Sequence, residues 1–238
     1  MWYNRLKEFL LQKGFSNNND CPCVFIKKFL SGFCIISVYV DDLNIIGNTQ
    51  DIDKASIHLK TEFEIKDLGK TKFCLGFQLE HLPSGILVHQ SAYIQKILQK
   101  FNMDKLYPLK TPMVVRSLYM MNKDQFRPQD EDEELLGTEV PYLSAIKTLM
   151  YIANCTRLDI AFAVNLLARH SAAPMKCHWT GVKNIFRYLQ GTIDLGLFYQ
   201  FDQDKSIIRY TDAGYLSDPH NARSQTGFVF LHGGTAIS

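Results

Sequence analysis

The sequence predicts an α+β protein, an antiparallel sheet with helices on one face. Two short runs rich in Ile and Val, residues 33–40 and 43–46, are too brief for buried helices and read as buried strands. Helical spacing precedes them at residues 2–13 and follows them from Thr49 or Asp51 to about Phe63. Strands and helices in this order suit an antiparallel sheet backed by helices. Only Asp41 and Asp42 separate the two apolar runs, and a two-residue break suits a tight β-hairpin. Both carboxylates are therefore expected at the hairpin tip.

Composition narrows the class. A chain of 238 residues holds one large domain or two small ones, and 46% hydrophobic residues argue against disorder. The net charge of +2 neither demands nor excludes nucleic acid, because a local basic face matters more than the total. The six cysteines are scattered. Cys21 and Cys23 lie two apart, but no second pair completes a zinc spacing, so all six read as reduced intracellular thiols. No apolar run reaches the roughly 18 residues of a membrane helix. Arg5, Lys7 and Glu8 break any signal-peptide core, which makes the cytoplasm or nucleus the expected compartment.

Taken in order, Trp2, Leu6, Phe9 and Leu10 share one helical face, and Gly14 suits a C-terminal stop. A polar loop at 16–20 leads to a strand at 24–28, and Ser31-Gly32 turns the chain into the hairpin. The helix after Gly47 buries Ile52, Ala55, Leu59 and Phe63. Alternation of Phe73, Leu75, Phe77 and Leu79 predicts one strand over 72–80, and Pro83-Ser84-Gly85 returns it as a strand at 86–89. A helix from near Ser91 carries Ile94, Ile97, Leu98 and Phe101 on one face. Periodicity then fails. Pro108, Pro112, Pro128 and the acidic run at 130–134 predict a mobile surface linker over 114–139. Three helices follow, from Pro141 with Tyr142, Ile146, Leu149 and Ala153, then at 158–168, then at 176–190 with a stop at Gly191. Arg157, Arg169, Lys176, His178, Lys183 and Arg187 make this region locally basic, either as a solvated face or as a surface that follows phosphates. Strands at 196–199, 206–211, 226–232 and 235–238 close the chain.

The chemistry lies in the acidic pair. Two adjacent carboxylates repel and stay ionised only when a cation or donor compensates. A divalent ion that takes hard oxygen ligands is the natural partner. Carboxylates on a rigid hairpin are what two-metal phosphoryl transfer requires. An Asp-Asp turn by itself needs no such explanation, since Asp is a common turn residue.

The wider strings decide between these readings. Tyr39-Val40-Asp41-Asp42 between two apolar strands resembles the YxDD box of reverse transcriptases. Cys23-Val24-Phe25-Ile26-Lys27-Lys28, Asp67-Leu68-Gly69 and Thr111-Pro112-Met113 resemble the Ty1/copia class of LTR retrotransposons. So do Leu149-Met150-Tyr151-Ile152-Ala153-Asn154, Asp159-Ile160-Ala161-Phe162-Ala163-Val164, Ile185-Phe186-Arg187-Tyr188-Leu189-Gln190-Gly191-Thr192 and Arg223-Ser224-Gln225-Thr226-Gly227. The matches run in order along nearly the whole chain.

The resemblance implies a partial reverse-transcriptase palm at 1–113, a linker at 114–140, a helical thumb or connection at 141–194 and a truncated RNase H-like domain at 195–238. It implies a fragment of an RNA-directed DNA polymerase whose complete form transfers nucleotides with Mg²⁺, or Mn²⁺ in its place. Asp41 and Asp42 would bind metal, and Tyr39 would line the primer end. Lys183 and Arg187 would contact nucleic acid. Asp212, in Tyr210-Thr211-Asp212-Ala213, matches the first metal-binding carboxylate of the RNase H part. The implied partners are primer–template, nucleotides and the rest of the Pol polyprotein, with no membrane. Three departures stand out: Gly214 where the family pattern has a second Asp, Lys147 where it has Gly, and Leu158 where it has Pro. The family also needs a third palm carboxylate and fingers, expected before Met1, and further RNase H carboxylates, expected after Ser238. The alternative is a catalytically inactive remnant or a nucleic-acid-binding module.

Overall fold

The computed structural model describes residues 2–29, 32–113, 124–128, 133–201, 206–216, 218, 220 and 222–237. It is a mixed α+β protein with antiparallel sheets and, among the described residues, six α-helices. The chain divides into two compact units, Met1–Thr71 and Lys72–Ser238.

In the first unit, α1 (Trp2–Gln12) precedes β1 (Ser16–Asn17), β2 (Val24–Phe29), β3 (Gly32–Tyr39), β4 (Asp42–Gly47) and α2 (Thr49–Glu62). The four strands pair in sequence order, all antiparallel. Alternation along β3 decides which face is buried: Cys34, Ile36 and Val38 are buried, and the residues between them are not. The buried set packs with Phe25 of β2, Leu6 and Leu10 of α1, and Ala55 and Leu59 of α2. Burying side chains of this size contributes about 1.5–3 kcal/mol each, so one helix-covered face holds the unit together. Gly47 permits close pairing, since a Cβ there would lie 2.6 Å from the Phe33 carbonyl oxygen. The cap of α2 is Asn48, whose side chain accepts from the Asp51 amide, rather than Thr49 or Asp51.

Two expectations need correction here. The runs at 33–40 and 43–46 are buried on one face only, and β4, the edge strand, has no fully buried residue. The hairpin's two-residue loop is Val40-Asp41. Asp42 is already the first residue of β4, opposite Tyr39.

In the second unit, β5 (Phe73–Cys74), β6 (Phe77–Leu82) and β7 (Gly85–His89) form a meander. The predicted single strand over 72–80 is broken at Leu75-Gly76, where φ is +53° and +85°. Two positive φ values give a type I′ hairpin, a turn that Leu at its first position does not announce. Then come α3 (Ser91–Lys100), α4 (Tyr142–Cys155), a 3₁₀ turn at Leu158–Ile160, α5 (Ala161–Ala168) and α6 (Lys176–Gly191). These helices share one core, with Ile94, Ile146, Leu149, Leu167, Ile185 and Phe186 fully buried. β8 (Leu197–Gln200) pairs with β7, so it joins the sheet β5-β6-β7-β8 and not the last strands with which its sequence position grouped it. β9 (Ile207–Gly214), β10 (Gln225–His232) and β11 (Thr235–Ala236) make a third sheet in the order β11-β10-β9. Ile207, Ile208 and Tyr210 on edge strand β9 are exposed, as is Phe228, while Phe230 is half-buried.

Most of the expected linker, 114–123 and 129–132, lies outside the described residues. Of its described parts, 124–128 is packed, whereas Glu134, Leu135, Gly137, Thr138 and Glu139 are exposed. Phe126 is buried, Asn184 donates to Gln125, and the Leu136 amide donates to the Pro174 carbonyl. Three histidines also hold residues 124–128. His178 Nε2 donates to the Arg127 carbonyl at 2.9 Å, His220 bonds Asp124 at 2.8 Å, and His170 bonds the backbone of Phe126. The His170 and His178 rings stack at 3.8 Å.

Nor are all six basic residues of the helical region surface charges. Arg157 is 1% exposed. Its Nε and Nη2 donate to the two oxygens of Asp159 at 3.0 and 2.8 Å, and Nη1 donates to the Thr192 carbonyl at 2.8 Å. The guanidinium also lies over the Tyr188 ring, whose hydroxyl donates to Asp159. Asp159 is 37% exposed, and burial raises its pKa, but donors from Arg157 and Tyr188 outweigh that and hold the carboxyl below its ordinary range.

Two outcomes follow for stability. Arg157→Met should destabilise the second unit by about 1–3 kcal/mol, because it leaves the Thr192 carbonyl without its donor and the part-exposed Asp159 carboxylate without its cation; urea unfolding measures it. Burial first, then the neighbouring His178 charge, lowers His170 from 6.5 to about 4. The folded state therefore binds fewer protons than the unfolded chain. This stabilisation is complete above pH 6.5 and is lost as pH falls towards about 4, whereas that of Asp159 is lost only below 3.8. The urea midpoint should thus decline between pH 6.5 and 4, and His170→Asn should flatten the decline.

Candidate functional site

The site is the β3–β4 turn. Cys34, Ile36 and Val38 point to α1 and α2, so Tyr39, Ser37 and Ile35 point to the face away from these two helices. On β4, Leu43 and Ile45 pack on the core, which leaves Asp42, Asn44 and Ile46 on the face away from α1 and α2. Register then places Tyr39 directly opposite Asp42 and Ser37 opposite Asn44. Asn44 accepts a 3.1 Å hydrogen bond from Thr71. Asp41 sits in the turn itself, and both carboxylates are exposed.

The turn is strained. Val40 has φ +52° and Asp41 does not share the positive sign, the pattern of a type II′ turn, whose first central residue is ordinarily Gly. A β-branched residue there costs on the order of 1–3 kcal/mol and persists only where its surroundings over-determine it. Here the eight-residue strand β3, hydrogen-bonded on both sides, imposes the conformation. The Val40 side chain is 70% exposed and that of Tyr39 is 55% exposed, so neither is fixed by burial. Both stand beside the two carboxylates.

The other expected site residues lie in the second unit. Lys183 and Arg187, one turn apart on α6, are both half-buried. Arg187 Nε donates to the Tyr107 carbonyl at 2.7 Å, so it also anchors the chain before Pro108. Asp212 lies within β9, exposed, opposite Gly227. The structure therefore gathers Tyr39, Asp41 and Asp42 into one cluster and Lys183 with Arg187 into another, with Asp212 on a separate sheet. Among the described residues, no group of three His, Cys, Asp or Glu side chains could hold a metal ion. No helix among them is long and apolar enough to cross a membrane. Asp67 is a turn-former: it accepts from the Gly69 amide and from Lys60, and those bonds hold its carboxyl below the ordinary range.

Sequence reasoning missed the Val40 strain. Nothing in Tyr-Val-Asp-Asp announces a positive φ, because turns that need one normally use Gly or Asn.

Comparison with known proteins gives a consistent picture. The family model for reverse transcriptase (RNA-dependent DNA polymerase) matches residues 1–115. The whole chain is 35% identical to the retrovirus-related Pol polyprotein from transposon TNT 1-94 of Nicotiana tabacum, of which it covers 18%. It is 30% identical to the corresponding polyprotein from transposon RE1 of Arabidopsis thaliana, of which it covers 16%. It is 25% identical to a putative transposon Ty5-1 protein of Saccharomyces cerevisiae, of which it covers 75%. The chain thus spans less than a fifth of the Pol polyproteins it matches. No solved structure matches it.

Relief of the turn strain is measurable. Val40→Gly should stabilise the first unit by about 1 kcal/mol, the strain released less the extra entropy that Gly gives the unfolded chain. Chemical denaturation followed by hydrogen exchange of the β3–β4 amides reads this directly.

Proposed function

The chain belongs to the Pol polyproteins of Ty1/copia-type retrotransposons, and on that premise we propose that it is the part of an RNA-directed DNA polymerase that carries the acidic hairpin. One observation carries this reading: within the matched residues 1–115, a rigid hairpin presents Asp41 and Asp42, exposed, beside the Tyr39 ring. In this reading residues 1–113 are palm, α4 to α6 within 141–194 serve as thumb and connection, and residues 195–238 open an RNase H-like domain with Asp212 as its first carboxylate.

The donor set fits magnesium. Asp41 and Asp42 offer hard oxygens in an exposed setting, where the ion keeps most of its waters and takes help from substrate phosphates. Mn²⁺ suits the same oxygens. When bound, such ions activate a primer 3′-hydroxyl and neutralise charge on the departing pyrophosphate. The protein's own share is positional. The β3–β4 ladder fixes the carboxylates, and Tyr39, directly across from Asp42, lines the primer end. Lys183 and Arg187 follow phosphates, a contact that weakens with salt.

A second reading has its own support. No third metal-ligating side chain joins the pair among the described residues. That favours binding without catalysis for this chain on its own.

The two readings separate experimentally. The purified chain should bind Mg²⁺ weakly and should not extend a primer on an RNA template, since electrostatic preorganisation is usually the largest catalytic contribution. The TNT 1-94 polyprotein carrying this chain in place of its matching segment should extend primer. Asp41→Asn in that graft should lower the rate by about 10²–10³-fold. A graft that stays inactive beside an active parent, yet still binds primer–template, would leave only the binding module.

A further inference from the structure

Three imidazoles from separate places in the second unit meet at residues 124–128. His170 follows α5, His178 lies in the first turn of α6, and His220 lies between β9 and β10. His178 is fully buried. Its partners fix its tautomer. A backbone amide only donates, so Nδ1, 3.1 Å from the Met175 nitrogen, accepts. A carbonyl only accepts, so Nε2, 2.9 Å from the Arg127 oxygen, carries the proton. The ring therefore ties the start of α6 to residue 127 only while it is neutral. The His170 ring stacks on it, with centroids 3.8 Å apart.

A second proton on His178 has only Nδ1 to occupy. It would meet the Met175 N–H, leave that fully buried amide without an acceptor and press a positive ring against His170. The charged groups around the stack come from every side. Arg169 and Asp218 stand near His170 and bond each other at 3.1 Å. Arg127, Glu133 and Asp124 stand near His178, with Arg127 bonded to Glu133 at 2.6 Å. Burial outweighs the carboxylates among them: it is the main reason that His170 is lowered to about 4, and it lowers His178 too. The other end of the segment answers acid differently. Charging the His220 ring turns its 2.8 Å bond to Asp124 into an ion pair. The bond from Asn184 to Gln125 carries no titratable group. Acid thus loosens residue 127 and tightens residue 124.

We propose that the stacked His170–His178 pair is a proton-operated latch: on acidification residues 126–128 leave the helices, turning about the Asp124–His220 contact, while the helical core stays folded. Opening frees both rings to take protons and lets water reach the Met175 amide. The core survives because Ile94, Ile146, Leu149, Leu167, Ile185 and Phe186 bury one another without either imidazole. The latch is independent of the acidic hairpin and of the polymerase reading.

The test is native-state hydrogen exchange of the whole chain by NMR, at pH 7 and pH 5, with low concentrations of urea. After correction for the intrinsic pH dependence of exchange, protection of the Met175 amide should fall at least about 20-fold, the linkage expected when His170 returns from about 4 to 6.5 on opening. Local opening exposes little surface, so this fall should not depend on urea, whereas the Ile146 and Leu149 amides should exchange by urea-sensitive unfolding. Hydroxyl-radical labelling of Phe126, which is buried at neutral pH, should rise at pH 5. The His220 ring N–H, bonded to Asp124, should stay detectable there. His170→Asn should remove most of the change at Met175. Unchanged protection of Met175, a fall with the urea dependence of the core amides, Phe126 unlabelled at pH 5, loss of the His220 ring N–H, or a response undiminished in His170→Asn would each overturn the proposal.

Discussion

The antiparallel register of β3 and β4 is the constraint on which the site depends. Side chains alternate with period two, so a slip of one residue would turn Cys34, Ile36 and Val38 out to water and bury Ser37 and Tyr39. Burial of that set against α1 and α2 therefore forbids the slip. The same register sets Tyr39 opposite Asp42 and leaves two residues for the turn. Helix packing on one face thus decides, through the pleat, which side chains appear on the other. The strain at Val40 is the local cost of closing so short a loop without glycine.

A different balance organises the second unit. Its core is helical, with α3 to α6 meeting in one apolar cluster. Polar groups settle the ends of these helices. Arg157, buried after α4, reaches Thr192 beyond the end of α6 and returns to Asp159. Removing an ion from such a cluster exposes its partner's desolvation cost, so the network resists piecemeal change. The stacked imidazoles are neutral where the sequence suggested surface charge. His178 Nδ1 accepts from the Met175 amide while its Nε2 donates, which fixes one neutral tautomer.

Much of the architecture was legible because periodicity reports burial. α3 and its face of Ile94, Ile97 and Leu98 were readable residue by residue, and so was α6 with Val182, Phe186 and Leu189. Short two-sided elements were not. β5 and β6 looked like one strand because alternation survives across a type I′ turn, and Leu75 carries no turn signature. β8 looked like the start of the last sheet because proximity in sequence says nothing about pairing with β7, over a hundred residues earlier. Basic side chains misled for a similar reason: composition counts Arg157 and His178 as surface charge, and only their partners reveal burial.

By itself the sequence determined the α+β class, the helical faces, the acidic hairpin and, through ordered motifs along the chain, the family. These are properties of local spacing and residue type, which act within a few turns of the chain. Tertiary structure alone decided that Val40 and Asp41 form the loop while Asp42 pairs with Tyr39. It also decided that Asp42 lies on the face of the sheet away from α1 and α2, and that Arg157 is an interior ion. Each of these depends on groups brought together from distant positions, and the balance between desolvation and partnership there is set only when the chain is folded.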